Sequence, residues 1–129
     1  MTDVDAWAAY ERLSRGDGAQ LTLADRRLLA LGGLRSEVNN GGFHQYFFNS
    51  AGDLVTDALD AAEAVGADEV ASLIRRGLSL LNVPEPADRV ARQSALGDIE
   101  PEEFADLDDD YYTLEASLDL DAVMRAVMR

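Results

Sequence analysis

Apolar residues in this chain recur at helical spacing, and no segment of useful length alternates apolar with polar. Val70, Leu73, Ile74, Leu78 and Leu81 lie three, one, four and three positions apart, which places them on one face of a helix but on both faces of a strand. Without strands there is no sheet to bury. Helix packed on helix is the remaining architecture, so the expectation is a single all-α domain over residues 1–129 with about seven helices. A hydrophobic content of 47% in 129 residues is ample for one core.

The start and stop signals partition the chain. Thr2 or Asp3 caps a first helix through about Ser14, with Val4, Trp7, Ala8 and Leu13 inward and Gly16-Asp17-Gly18 as the stop. Thr22 with Asp25 resembles a capping box, and Leu23, Leu28, Leu31, Leu34 and Val38 continue a stripe to Asn39-Asn40-Gly41-Gly42, a strong terminator. A short aromatic helix runs from Phe43 to Asn49. Ser50 and Asp53 form a second capping-box-like pair ahead of Leu54, Ala58, Leu59, Ala62 and Val65. Asp68 opens a helix through Leu81, Ala87 to Leu96 forms a modest one, Pro101 suits a first helical position, and Asp119 or Asp121 begins the last.

Charge narrows the function. The chain holds 25 acids against 11 basic residues, all of them arginine, for a net charge of −14. Polyanions are gripped by lysine and arginine, so direct binding of nucleic acid or an anionic membrane is excluded and any charged partner should be cationic. Absent cysteine rules out disulfides and thiolate metal sites. The beginning of the chain lacks a positive n-region and an apolar h-region, and no membrane-spanning run occurs, so a cytoplasmic location is expected. No cofactor is implied.

Motifs for catalysis are sparse. Asp106, Asp108 and Asp110 occupy positions 1, 3 and 5 of a would-be EF-hand loop, but Tyr111 replaces the turn glycine and Ser117 the bidentate glutamate, so no metal site is expected. His44 is the sole histidine and has no diagnostic spacing. A small-molecule enzyme using His44, Gln45, Tyr46 and Glu37 is therefore the weakest function class, with packing favoured for the histidine. In the stretch from Glu37 to Asp53, Asn39 and Asn40 can satisfy backbone groups at a helix end, Phe43 and Phe47 share a buried face, and Asn49 or Ser50 caps the next helix. A structural role for Asn39, Asn40, Gly41, Gly42, Phe43, Gln45, Tyr46, Phe47 and Asn49 is preferred over a recognition pocket.

That same Asn-Asn-Gly-Gly-Phe-x-Gln-Tyr-Phe-x-Asn-Ser-x-Gly-Asp run, with the helix ending at Val65-Gly66-Ala67 and the late Asp109-Asp110-Tyr111-Tyr112, resembles a bacterial domain-of-unknown-function family that includes a nineteen-kilodalton DNA-mimic protein. The resemblance covers roughly Leu28 to Met128. It implies an all-α domain, often a homodimer, whose negative surface occupies the DNA-binding face of a repressor or engages a nucleoid protein.

Two rows of acids suit such a surface. Asp53, Asp57, Asp60 and Glu63 are spaced four, three and three apart, opposite the apolar face of their helix and with no arginine in it. Between Gln93 and Met124 there is no basic residue, and Asp106, Asp108, Asp109, Asp110 and Glu115 fall in a segment whose Phe104, Leu107, Tyr111 and Leu114 indicate packed helix. Both rows are expected to bind, and so inhibit, a basic DNA-binding protein such as a repressor or nucleoid protein, an immunity or antitoxin-like role against a basic nuclease being the alternative.

Overall fold

The computed structural model describes residues 5–16 and 20–129. Among these, seven α-helices and two 3-10 turns account for the regular structure, with no strand. The helices are α1 (Ala6–Ser14), α2 (Leu23–Phe48), α3 (Val55–Ala64), α4 (Asp68–Leu81), α5 (Arg89–Leu96), α6 (Ala105–Ser117) and α7 (Leu120–Val127); the 3-10 turns, Ser50–Leu54 and Pro101–Phe104, lead into α3 and α6.

Several starts obey the local chemistry. The Thr22 hydroxyl accepts from the Asp25 amide at 3.0 Å while Asp25 accepts from the Thr22 amide at 3.2 Å, completing the capping box. Asp119 caps α7 through the Ala122 amide, and Pro101 stands at the first position of its turn. The α1 cap is Asp5, whose carboxylate accepts from Ala8, so the helix begins later than the sequence signals indicated. Thr2, Asp3, Val4 and the Asp17-Gly18 stop lie outside the described residues. Ala8 is exposed and Ala6 and Ala9 take the inward face, while Leu23 is 62% exposed and belongs to no stripe.

The expected break after Val38 is a pivot of one residue. Helix α2 continues through Asn39, Asn40 and Gly41, and only Gly42 leaves helical geometry, at φ 81° and ψ −178°, a conformation that is essentially restricted to glycine. The first amide beyond the pivot, Phe43, donates to the Asp108 carboxylate on α6 at 2.8 Å, so a tertiary contact caps the second segment. Asn39 and Asn40 do not perform the capping assigned to them. Beyond the pivot Phe43, Tyr46 and Phe47 are fully buried with Phe104 and Tyr111, at ring-centroid distances of 5.4–6.2 Å. Gly77 of α4 faces this cluster, where a Cβ would meet Phe47 at 3.1 Å, so the missing side chain lets α4 approach α2 closely. Helix α2 is thereby the central element, packed against α1, α3, α5, α6 and α7.

The second capping box does not form. Ser50 and Asp53 lie within the 3-10 turn, Asn49 is its cap residue, and no side chain caps it. The Asp53 carboxylate instead binds two arginines of the α5 helix.

Candidate functional site

A carboxylate can attract a partner's cation only where this chain's own arginines do not already hold it, so the pairing of each acid decides the shape of the negative field. In the first row Asp53 is not on α3 at all. It sits in the preceding turn, takes Arg89 at 2.6 and 3.2 Å and Arg92 at 2.7 Å, and its carboxyl is held below the usual range by hydrogen bonding to Arg89, against partial burial, with Arg92 adding to the effect. Arg92 is fully buried. Besides Asp53 it donates to the carbonyls of Phe47 (2.7 Å), Pro86 (2.7 Å) and Asn49 (3.1 Å), clamping the end of α2 to the start of α5.

The remaining first-row acids are largely compensated across helices. Asp57 pairs with Arg26 of α2 at 3.1 Å and Glu63 with Arg75 of α4 at 3.0 Å. Asp60 is exposed and carries no ion pair among the described residues. No arginine lies within α3, but neighbouring helices supply them.

The second row divides in the same way. Asp108 is half-buried against Gly42 and Phe43, and burial pushes its carboxyl up while the Phe43 amide opposes this. Glu115 accepts from Arg35 at 2.7 Å and from the Tyr111 hydroxyl at 2.7 Å; burial, then Glu115, raises that phenol. Both acids are structural. Asp110 pairs with Arg76 at 2.8 Å on the surface, whereas Asp106 and Asp109 are exposed and, among the described residues, unpaired. Upstream, Asp98 and Glu102 are also exposed and unpaired, and Glu103 folds back onto the Glu100 amide at 2.8 Å. Asp106 and Asp109 are three positions apart on α6, which puts them about 5–6 Å apart at Cβ, and Glu102 precedes them in the 3-10 turn.

Helix α4 packs against both α3 and α6, and its adjacent Arg75 and Arg76 pair with Glu63 of the first row and Asp110 of the second. Asp98, Glu102, Asp106 and Asp109 thus form one group of exposed carboxylates unpaired among the described residues, while Asp68, Glu69 and Glu85 are others elsewhere.

Residues of the glycine-rich motif mostly hold the fold. Glu37 Oε2 accepts from Gln45 Nε2 at 2.7 Å and from Asn49 Nδ2 at 3.0 Å, bridging the Gly42 pivot. His44 stacks edge to face on Phe104 at 6.0 Å and does not line the groove that Glu37 borders, so the convergence required by the enzyme alternative is absent. Among the described residues no group of three potential metal ligands occurs; Asp106, Asp108 and Asp110 lie on helix α6, where Asp108 accepts from Phe43 and Asp110 pairs with Arg76.

Arg35 and Arg92 are the organising residues that sequence reasoning missed. Arg35 joins Glu115 and Asp121, both at 2.7 Å, and lies 5.7 Å from the Trp7 ring centre, linking α2 to α1, α6 and α7. The available signal for Arg92 was its position four residues before Leu96 on a short helix, the spacing of a shared face.

A family model described as DMP19-like protein matches residues 19–129 of the chain. No curated protein and no solved structure matches it.

Proposed function

The chain belongs to the DMP19-like protein family, and from that premise we propose that it is a non-enzymatic DNA mimic that occupies the DNA-binding surface of a basic repressor or nucleoid protein. The observation that carries this is the group of exposed carboxylates Asp98, Glu102, Asp106 and Asp109, unpaired among the described residues in a stretch without any arginine. Fixed on a turn and a packed helix, they present negative charge at regular intervals to a partner built to grip phosphates. Asp110 adds to this group, partly neutralised by Arg76, while Asp60 on α3 stands apart from it. Asp53, Asp108 and Glu115 serve the fold and leave the proposed contact set.

Capture from host lysate at low and high salt tests the reading. Wild-type protein should retain basic DNA-binding proteins at low salt and release them as salt rises, because exposed charge contacts are screened. A variant combining Glu102→Gln, Asp106→Asn and Asp109→Asn should lose them, while Asp57→Asn, which alters an already paired acid, should retain them. Capture of the same proteins by wild type and the triple variant at both salts sinks the electrostatic reading.

A further inference from the structure

On the face defined by α1 and the α6–α7 corner lies an open groove of about 960 Å³, within the size range of small-molecule sites. Its floor is the last helical stretch of α2 before the Gly42 pivot, and Trp7 forms one wall. Because α2 does not end at Asn39 and Asn40, their amides are not spent on capping. Asn40 is exposed in the groove and its side chain has no hydrogen bond among the described residues. Glu37 uses Oε2 for Gln45 and Asn49, and its Oε1, at the same border, has no hydrogen bond among the described residues.

Charge selects the ligand. The Arg35 guanidinium is consumed by Glu115 and Asp121, and Arg125, on the rim, has Asp119 at 3.8 Å. Glu37 and Asp5 are the lining carboxylates without a cation among the described residues, so a cation with several N–H donors fits and an anion is repelled. We propose that this groove binds a small organic cation through its guanidinium or primary amine, with Glu37 Oε1 and the Asn40 amide oxygen as acceptors beside the Trp7 indole. The site is separate from the acidic face of α6 and stands whether or not DNA mimicry holds.

Trp7 is the only tryptophan, so its fluorescence reports the groove directly. Titration with L-argininamide should give a saturable change, and sodium glutarate at matched ionic strength should not. Asn40→Ala, an exposed substitution that removes no hydrogen bond among the described residues, and Glu37→Gln should each weaken binding by about tenfold, the order expected for losing one hydrogen bond to a charged group. A blocked arginine tripeptide distinguishes two sources of the same chemistry: tighter binding than argininamide assigns the groove to a partner's arginine side chain, and weaker binding assigns it to a free amine. Absence of a saturable change with argininamide, an equal response to glutarate, or unchanged affinity in both variants overturns the proposal.

Discussion

Replacing Arg92 with methionine should remove a large part of this protein's stability margin. The side chain is fully buried and donates to three backbone carbonyls and one carboxylate at 2.7–3.1 Å. Swapping a buried ion pair for apolar groups is often close to neutral, but the carbonyls of Phe47, Pro86 and Asn49 cannot be removed by any side-chain substitution. An acceptor shut away from water and left without a donor costs about 1–3 kcal/mol; the Phe47 contact is buried, those to Pro86 and Asn49 are half-buried, and Asp53, a third exposed, keeps Arg89. The expected loss over the three carbonyls is about 4 kcal/mol, set against a total of about 5–15 kcal/mol for a domain of this kind. At about 4 °C per kcal/mol for this size, Tm should fall by roughly 15 °C. Urea and thermal unfolding monitored by circular dichroism measure it, and Arg92→Lys, which keeps the charge but not the planar fork, should fall between wild type and Arg92→Met. A loss below about 1 kcal/mol, near that of an ordinary surface substitution, would refute the claim that this guanidinium holds the α2–α5 junction.

Gly42→Ala should cost more than about 2 kcal/mol, combining backbone strain of about 1–3 kcal/mol with collision between the new Cβ and the Asp108 carboxylate; chemical denaturation checks it, and a neutral outcome contradicts the pivot. The depressed pKa of Asp53 means that its stabilisation is complete above an unfolded value of about 3.9 and disappears as pH falls through the lower folded value. Asp53→Asn should therefore be less stable at neutral pH and show a shallower acid limb in Tm against pH, and superimposable acid limbs would count against the pairing. Burial raises Asp108 instead, so its contribution has the opposite sign and is lost as pH climbs from the unfolded value of about 3.9 through its raised folded value. The Tyr46 hydroxyl is buried without a partner among the described residues. Tyr46→Phe should accordingly be neutral or stabilising by up to about 1 kcal/mol, and a destabilisation beyond that size in thermal melts would reveal a hydrogen bond the hydroxyl makes.

The glycine-rich motif illustrates how much of the site was legible. Its aromatic residues entered the core as their i, i+4 spacing indicated, since Phe43 and Phe47 share a face within one helical segment. Its glycines marked a break, but Asn39, Asn40 and Gly41 tolerate helical geometry as well, and only packing against Asp108 confined the departure to Gly42. The acids were harder. Asp53 and Ser50 have capping-box spacing, yet Arg89 and Arg92 compete for the carboxylate, and charged hydrogen bonds are stronger than the contact to an exposed amide.

Periodicity and end signals, acting within a few residues, determined by themselves that this chain is all-α, where α2, α4 and α7 begin, and that its field is negative. Which carboxylates remain available was decided by the tertiary structure. Arg26 meets Asp57 across 31 positions, Arg89 meets Asp53 across 36 and Arg35 meets Glu115 across 80. An ion pair depends on distance through space, and helix packing sets that distance with no trace in the local pattern of either partner.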